Sequence, residues 1–118
     1  MDVDDNAVLT LSDKKKWATF HVSCSEWKNT FRLELYGRSG KILIQGIGGS
    51  YGKERLTYYE MSAQMGPPKS QEFEWDFDDS WQKDLENLTN HIASGAPLLG
   101  DLNSAIYCLE RVEEAYAG

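Results

Sequence analysis

An α+β fold is what this sequence predicts: an open, mainly antiparallel β-sheet of five or six strands with two C-terminal helices packed on one face, a two-layer sandwich. Three observations predict it. Short segments with a two-residue apolar period, bounded by turn residues, recur from position 7 to position 77. The last of them, Glu72-Phe73-Glu74-Trp75-Asp76-Phe77, runs straight into a helix start at Asp78-Asp79-Ser80. Beyond it the apolar residues fall at helical spacing in two blocks separated by Gly95-Ala96-Pro97.

Residues 7–11 and 17–24 alternate, and Ser12-Asp13-Lys14-Lys15 between them has turn chemistry, so they form a first hairpin. In residues 30–36, Phe31, Leu33 and Leu35 point to one side while Arg32, Glu34 and Tyr36 point to the other. Arg38-Ser39-Gly40 turns the chain into a strand over 41–45, whose companion over 56–60 follows a glycine-rich loop. Gly66-Pro67-Pro68 ends that pairing, because proline lacks an amide donor. In the strand over 72–77, Phe73, Trp75 and Phe77 alternate with acidic residues, which requires one face to be buried. Asp78, Asp79 or Ser80 caps a helix whose stripe is Trp81, Leu85, Leu88 and Ile92. Asp101 caps a second, with Leu102, Ala105, Ile106, Leu109, Val112 and Tyr116 along one side. Both stripes are expected to cover one face of the sheet. On the other face strand parity sets Tyr36, Leu43 and Tyr59, a patch too apolar for water alone and therefore an expected interface.

At 118 residues the chain is expected to be a single domain over 1–118, large enough to fold without disulfides. Cys24 and Cys108 sit in apolar-patterned segments and read as buried structural thiols, which suggests a reducing compartment. No apolar run reaches the roughly 18 residues of a membrane span, and the acidic start has no signal-peptide pattern, so the expected location is cytoplasmic. The net charge of −7, from 12 Lys and Arg against 19 Asp and Glu, argues against a nucleic-acid surface. The basic cluster over 14–16 reads as a solvated hairpin tip, and the sequon Asn87-Leu88-Thr89 falls inside a helix.

The loop Gly46-Ile47-Gly48-Gly49-Ser50-Tyr51-Gly52-Lys53 departs from a phosphate-binding loop at Ile47 and Glu54, and a strand rather than a helix follows it. It reads as a mobile strand connection or a lid over a ligand. His21 and Cys24 point to opposite faces, so no metal site is expected. No serine sits in a nucleophile setting, and Asp78 with Asp79 suits capping better than acid-base work. Ser23, Trp27, Lys28, Tyr51 and Arg55 are the candidates for ligand contact, since aromatic faces and cations at loop edges suit sugars and anionic groups; rim packing is the alternative.

Several of these segments together resemble the C-terminal domain of the Gfo/Idh/MocA oxidoreductases, the family of glucose-fructose oxidoreductase and inositol dehydrogenase. The resemblance rests on Trp27-Lys28-Asn29-Thr30-Phe31, Leu33-Glu34-Leu35-Tyr36-Gly37, Gly40-Lys41-Ile42-Leu43-Ile44 and Gly49-Ser50-Tyr51-Gly52-Lys53-Glu54-Arg55-Leu56. Asp79-Ser80-Trp81, the exit Ile92-Ala93-Ser94-Gly95-Ala96-Pro97 and Gly100-Asp101-Leu102 extend it to the closing helices. It implies an NAD- or NADP-dependent dehydrogenase of sugars, sugar nucleotides or polyols, in which this domain lines the substrate site and builds a homo-oligomer through its sheet. The family's N-terminal Rossmann domain, its Glu-Lys-Pro segment and its Asp-x-x-x-His helix have no counterpart here, since neither His21 nor His91 follows an Asp by four residues. No catalytic or cofactor-binding residue is therefore assigned, and no cofactor is expected on this stretch alone. The expectation is an excised domain or truncated product, inactive by itself, that partners a missing Rossmann domain. A stand-alone ligand-binding or protein-interaction module is the alternative, and a small proton-transfer enzyme ranks last for want of an acid or base in an apolar pocket.

Overall fold

A computed structural model describes residues 4–64 and 66–117, so the first three residues of the acidic start lie outside it. It is an α+β structure with two open antiparallel sheets and two helices, and it divides into two compact units, Met1–Glu26 with Leu85–Gly118 and Trp27–Asp84. The expected single sheet of five or six strands is thus resolved into sheets of two and four strands.

In the first unit β1 (Asn6–Ser12) and β2 (Trp17–Ser23) form a hairpin. Asp13 builds its turn: the carboxylate accepts the amides of Lys15 and Lys16, each at 2.8 Å, while the Asp13 amide donates to the Lys16 carbonyl at 2.9 Å. The register pairs Ala7 with Val22, Leu9 with Phe20 and Leu11 with Ala18, which gathers one apolar face. Asn6 opposes Ser23 at the far end, where the Asn6 amide group donates to Ser25 Oγ at 2.9 Å.

The second unit is a four-stranded meander of β3 (Arg32–Tyr36), β4 (Gly40–Gln45), β5 (Glu54–Glu60) and β6 (Lys69–Trp75), in that spatial order. Leu33 opposes Ile44, Ile44 opposes Leu56, and Leu56 opposes Phe73, with Leu35, Ile42 and Tyr58 in the neighbouring row. These residues form a continuous apolar face. The opposite face carries Arg32, Glu34, Tyr36, Lys41, Arg55, Glu72 and Glu74 around a small centre, Leu43 and Thr57, which are 7% and 5% exposed. Leu43 is on an inner strand flanked by long polar side chains, whose stems cover it.

The helices are α1 (Ser80–Ser94) and α2 (Leu102–Ala117). Asp79 caps α1, its carbonyl accepting the Lys83 amide at 3.0 Å, and Asp78 Oδ1 accepts the Ser80 amide at 3.0 Å. Gly95, at φ of +70°, ends the helix with its amide bonded to the His91 carbonyl at 2.8 Å. Asp101 caps α2 by accepting both the amide and the hydroxyl of Ser104 at 2.8 Å. Those bonds hold the Asp101 carboxyl below its usual range. Replacing Asp101 with Ala is expected to lower stability at neutral pH, with the difference from the parent shrinking as acid protonates the cap; paired urea melts at pH 7 and pH 2 measure it. Burial of the two apolar stripes is not found: no described residue of either helix is buried, and Trp81, Leu85, Ile92, Leu102 and Leu109 are all exposed. Cys24 and Cys108 are free and exposed, correcting the expectation of buried thiols.

Candidate functional site

Register stacks the polar face of the four-stranded sheet into rows that run across the strands. Tyr36, Lys41, Tyr59 and Ser70 form one row; Glu34, Leu43, Thr57 and Glu72 form the next; Arg32, Gln45, Arg55 and Glu74 form the third. Tyr36, Leu43 and Tyr59 therefore share a face, as parity predicts. They differ in access: Tyr36 is 75% exposed and Tyr59 is half-buried, whereas Leu43 belongs to the sheet's own interior.

Glu34 is the hub of one network, in contact with Arg32 Nε, Lys41 Nζ and the Tyr36 hydroxyl. Donation from Lys41 first, then from Tyr36 and Arg32, lowers the Glu34 pKa to about 2. The same pairing raises Lys41, which keeps its charge throughout the neutral range. A carboxylate depressed in the folded state stabilises the fold above its unfolded pKa of 4.5 and loses that contribution as pH falls toward about 2. Glu34→Gln should therefore lower the urea midpoint at pH 6, and the deficit should vanish progressively from pH 4.5 down to about 2. A pH-independent deficit would show that the charge network is not its source.

Glu74 is the second hub. It accepts from Lys53 Nζ at 2.6 Å and Arg55 Nε at 2.8 Å, and the lysine held first lowers its pKa. Lys53 also meets Asp76 at 2.9 Å, and Arg55 meets Glu72 at 3.2 Å. The β4–β5 loop leads into this network. Gly46, Gly48, Gly49 and Gly52 all have positive φ, and Glu54 Oε1 braces the loop by accepting the Gly48 amide at 2.8 Å.

Two clefts open on this unit. One of about 280 Å³ lies where the loop meets the end of β6, lined by Gly49, Gly52, Glu54, Trp75, Asp76 and Phe77. The other, about 330 Å³, lies at the opposite end of the polar face, between Tyr36, Lys41, Tyr59, Met61 and Pro68.

The ligand-contact candidates are not gathered into either cleft. Ser23 ends β2 in the first unit, with its hydroxyl 3.2 Å from Ser25 Oγ. Trp27 and Lys28 are exposed on the segment before β3, Tyr51 is exposed in the glycine loop, and Arg55 is committed to Glu72 and Glu74. The residues that do meet, Glu34 with Lys41 and Glu74 with Lys53, escape a sequence reading because each meeting depends on inter-strand register, which the sequence reports only through hairpin loop lengths. Among the described residues no group of His, Cys, Asp and Glu is arranged to hold a metal ion, and no helix is long and apolar enough to cross a membrane. No protein-family model matches the chain, and no curated protein or solved structure matches it.

Proposed function

We propose that the chain is an assembly domain that works with a second copy of itself, serving as the substrate-side and oligomerisation half of a cytoplasmic NAD(P)-dependent oxidoreductase of sugars, sugar nucleotides or polyols. The observation that carries the assembly reading is the apolar face of β3–β6: Leu35 is 51% and Phe73 48% exposed, and Leu33, Tyr58 and Trp75 are open beside them. A contiguous apolar face of this kind marks an interaction surface. It replaces the Tyr36, Leu43 and Tyr59 patch as the preferred pairing surface, since Leu43 is already buried and charged residues surround the other two. The oxidoreductase class, its NAD or NADP and the partnering Rossmann domain rest on the sequence resemblance alone. The two free thiols are in keeping with a reducing compartment.

Light scattering over a wide concentration series tests the assembly reading. A dimer is expected, and Leu35→Glu, at an exposed edge-strand position, should weaken association at least about tenfold, or about 1.4 kcal/mol. A monomer at every concentration would overturn it. The cleft beneath the glycine loop favours a second reading, a stand-alone binding module in which Trp75 and Phe77 offer aromatic faces beside Asp76 and Glu54. Saturable binding of a polyol by a monomeric chain, lost in Trp75→Ala, would select that reading instead.

A further inference from the structure

The cleft at the turn end of the polar face belongs to neither proposal above. Its walls are the rings of Tyr36 and Tyr59 with Met61 and Pro68, and Lys41 Nζ lies 4.8 Å from the centre of the Tyr36 ring and 5.9 Å from that of Tyr59. Register makes the arrangement: Tyr36 opposes Lys41 and Lys41 opposes Tyr59, so two aromatic side chains flank one ammonium group in a single row. Gly40 lines the cleft beside Lys41. Arg38 stands on the turn at the rim, without an ion pair or hydrogen bond among the described residues. The Tyr59 hydroxyl likewise donates to nothing there. From residue 32 to residue 45 the charged side chains are Arg32, Arg38 and Lys41 against Glu34 alone, a local excess of positive charge in a chain of net charge −7.

We propose that this slot binds a small organic acid: a single carboxylate on a flat, apolar body. The body lies against the tyrosine rings and Met61, and the carboxylate meets the uncommitted guanidinium of Arg38, which suits it in paired N–H geometry, while Lys41 stays paired with Glu34 and offsets that neighbouring negative charge. A volume of about 330 Å³ falls at the small end of ligand pockets, which points to a ligand of one ring rather than a nucleotide. The site is independent of the apolar face used for assembly, so its failure leaves that reading standing.

The test is a fluorine NMR titration of the full chain with 4-fluorobenzoate. Saturable binding is expected, with about tenfold loss in Arg38→Ala and about threefold loss in Tyr59→Phe; Arg38 holds no internal partner, so its variant should keep the parent melting curve. Acetate, which has the charge without the body, and 4-fluorobenzamide, which has the body without the charge, should each bind at least about tenfold more weakly. No saturation by 4-fluorobenzoate, equal affinity in Arg38→Ala, or equal affinity for either control would overturn the assignment.

Discussion

Substituting Leu43 is expected to disrupt the four-stranded sheet more than any other single side-chain change. Leu43→Ala should cost about 3 kcal/mol, because it opens a cavity in the interior strand beside Thr57. Leu43→Glu should cost more, since it places a carboxylate at a position 7% exposed and next to Glu34, which opposes it across β3. A domain with a total stability of about 5–15 kcal/mol has little room for such a loss. Urea midpoints with matched slopes, followed by circular dichroism, measure both. An unchanged midpoint in either variant would mean that Leu43 is not part of the interior.

Gly46→Ala is the second large effect, and it acts through the backbone. Gly46 is buried at φ of +74°, and a Cβ there would lie 2.3 Å from the Lys53 carbonyl oxygen and 2.8 Å from that of Gly52. Neither oxygen belongs to a side chain that can swing away. The variant should lose at least about 3 kcal/mol, of which about 1–2 comes from the left-handed conformation itself. Gly49→Ala isolates that smaller part: φ is +69°, but nothing lies within 4 Å of its Cβ, so it should lose only about 1 kcal/mol. Equal losses in the two variants would show that the close approach of strand ends at Gly46 does not matter.

The individual strands were legible because alternation is a local property. Residues 30–36 read as a strand and β3 spans Arg32–Tyr36; the strand expected over 41–45 is β4, Gly40–Gln45. The last strand was displaced: the alternation of Phe73, Trp75 and Phe77 suggested 72–77, but β6 runs Lys69–Trp75 because β5 supplies ladder partners only as far as Glu54. Both Asp-led helix starts were legible from capping chemistry. How strands group into sheets was not, because the segment between Ser23 and Arg32 contains no signal that distinguishes a continued meander from a separate hairpin. Nor was the fate of the helix stripes, since periodicity identifies an apolar face without saying what covers it. The Tyr36–Lys41–Tyr59 row was half legible. A short turn joins Tyr36 to Lys41, but Tyr59 reaches them only through the register set across the glycine loop.

The outer strands of the four-stranded sheet carry charges that oppose growth of the sheet by strand addition. β3 and β6 are the outer strands of their sheet, and an outer strand's backbone edge is the kind of template on which fibrils extend by strand addition. Both edges carry charge at alternate positions, Arg32 and Glu34 on β3 and Glu72 and Glu74 on β6. Sideways stacking of β6 on β6 would align carboxylates with carboxylates, and β3 offers only five residues to pair. The proposed association through the apolar face would instead cover the surface that drives it, and a two-fold pairing of that kind would close after one partner.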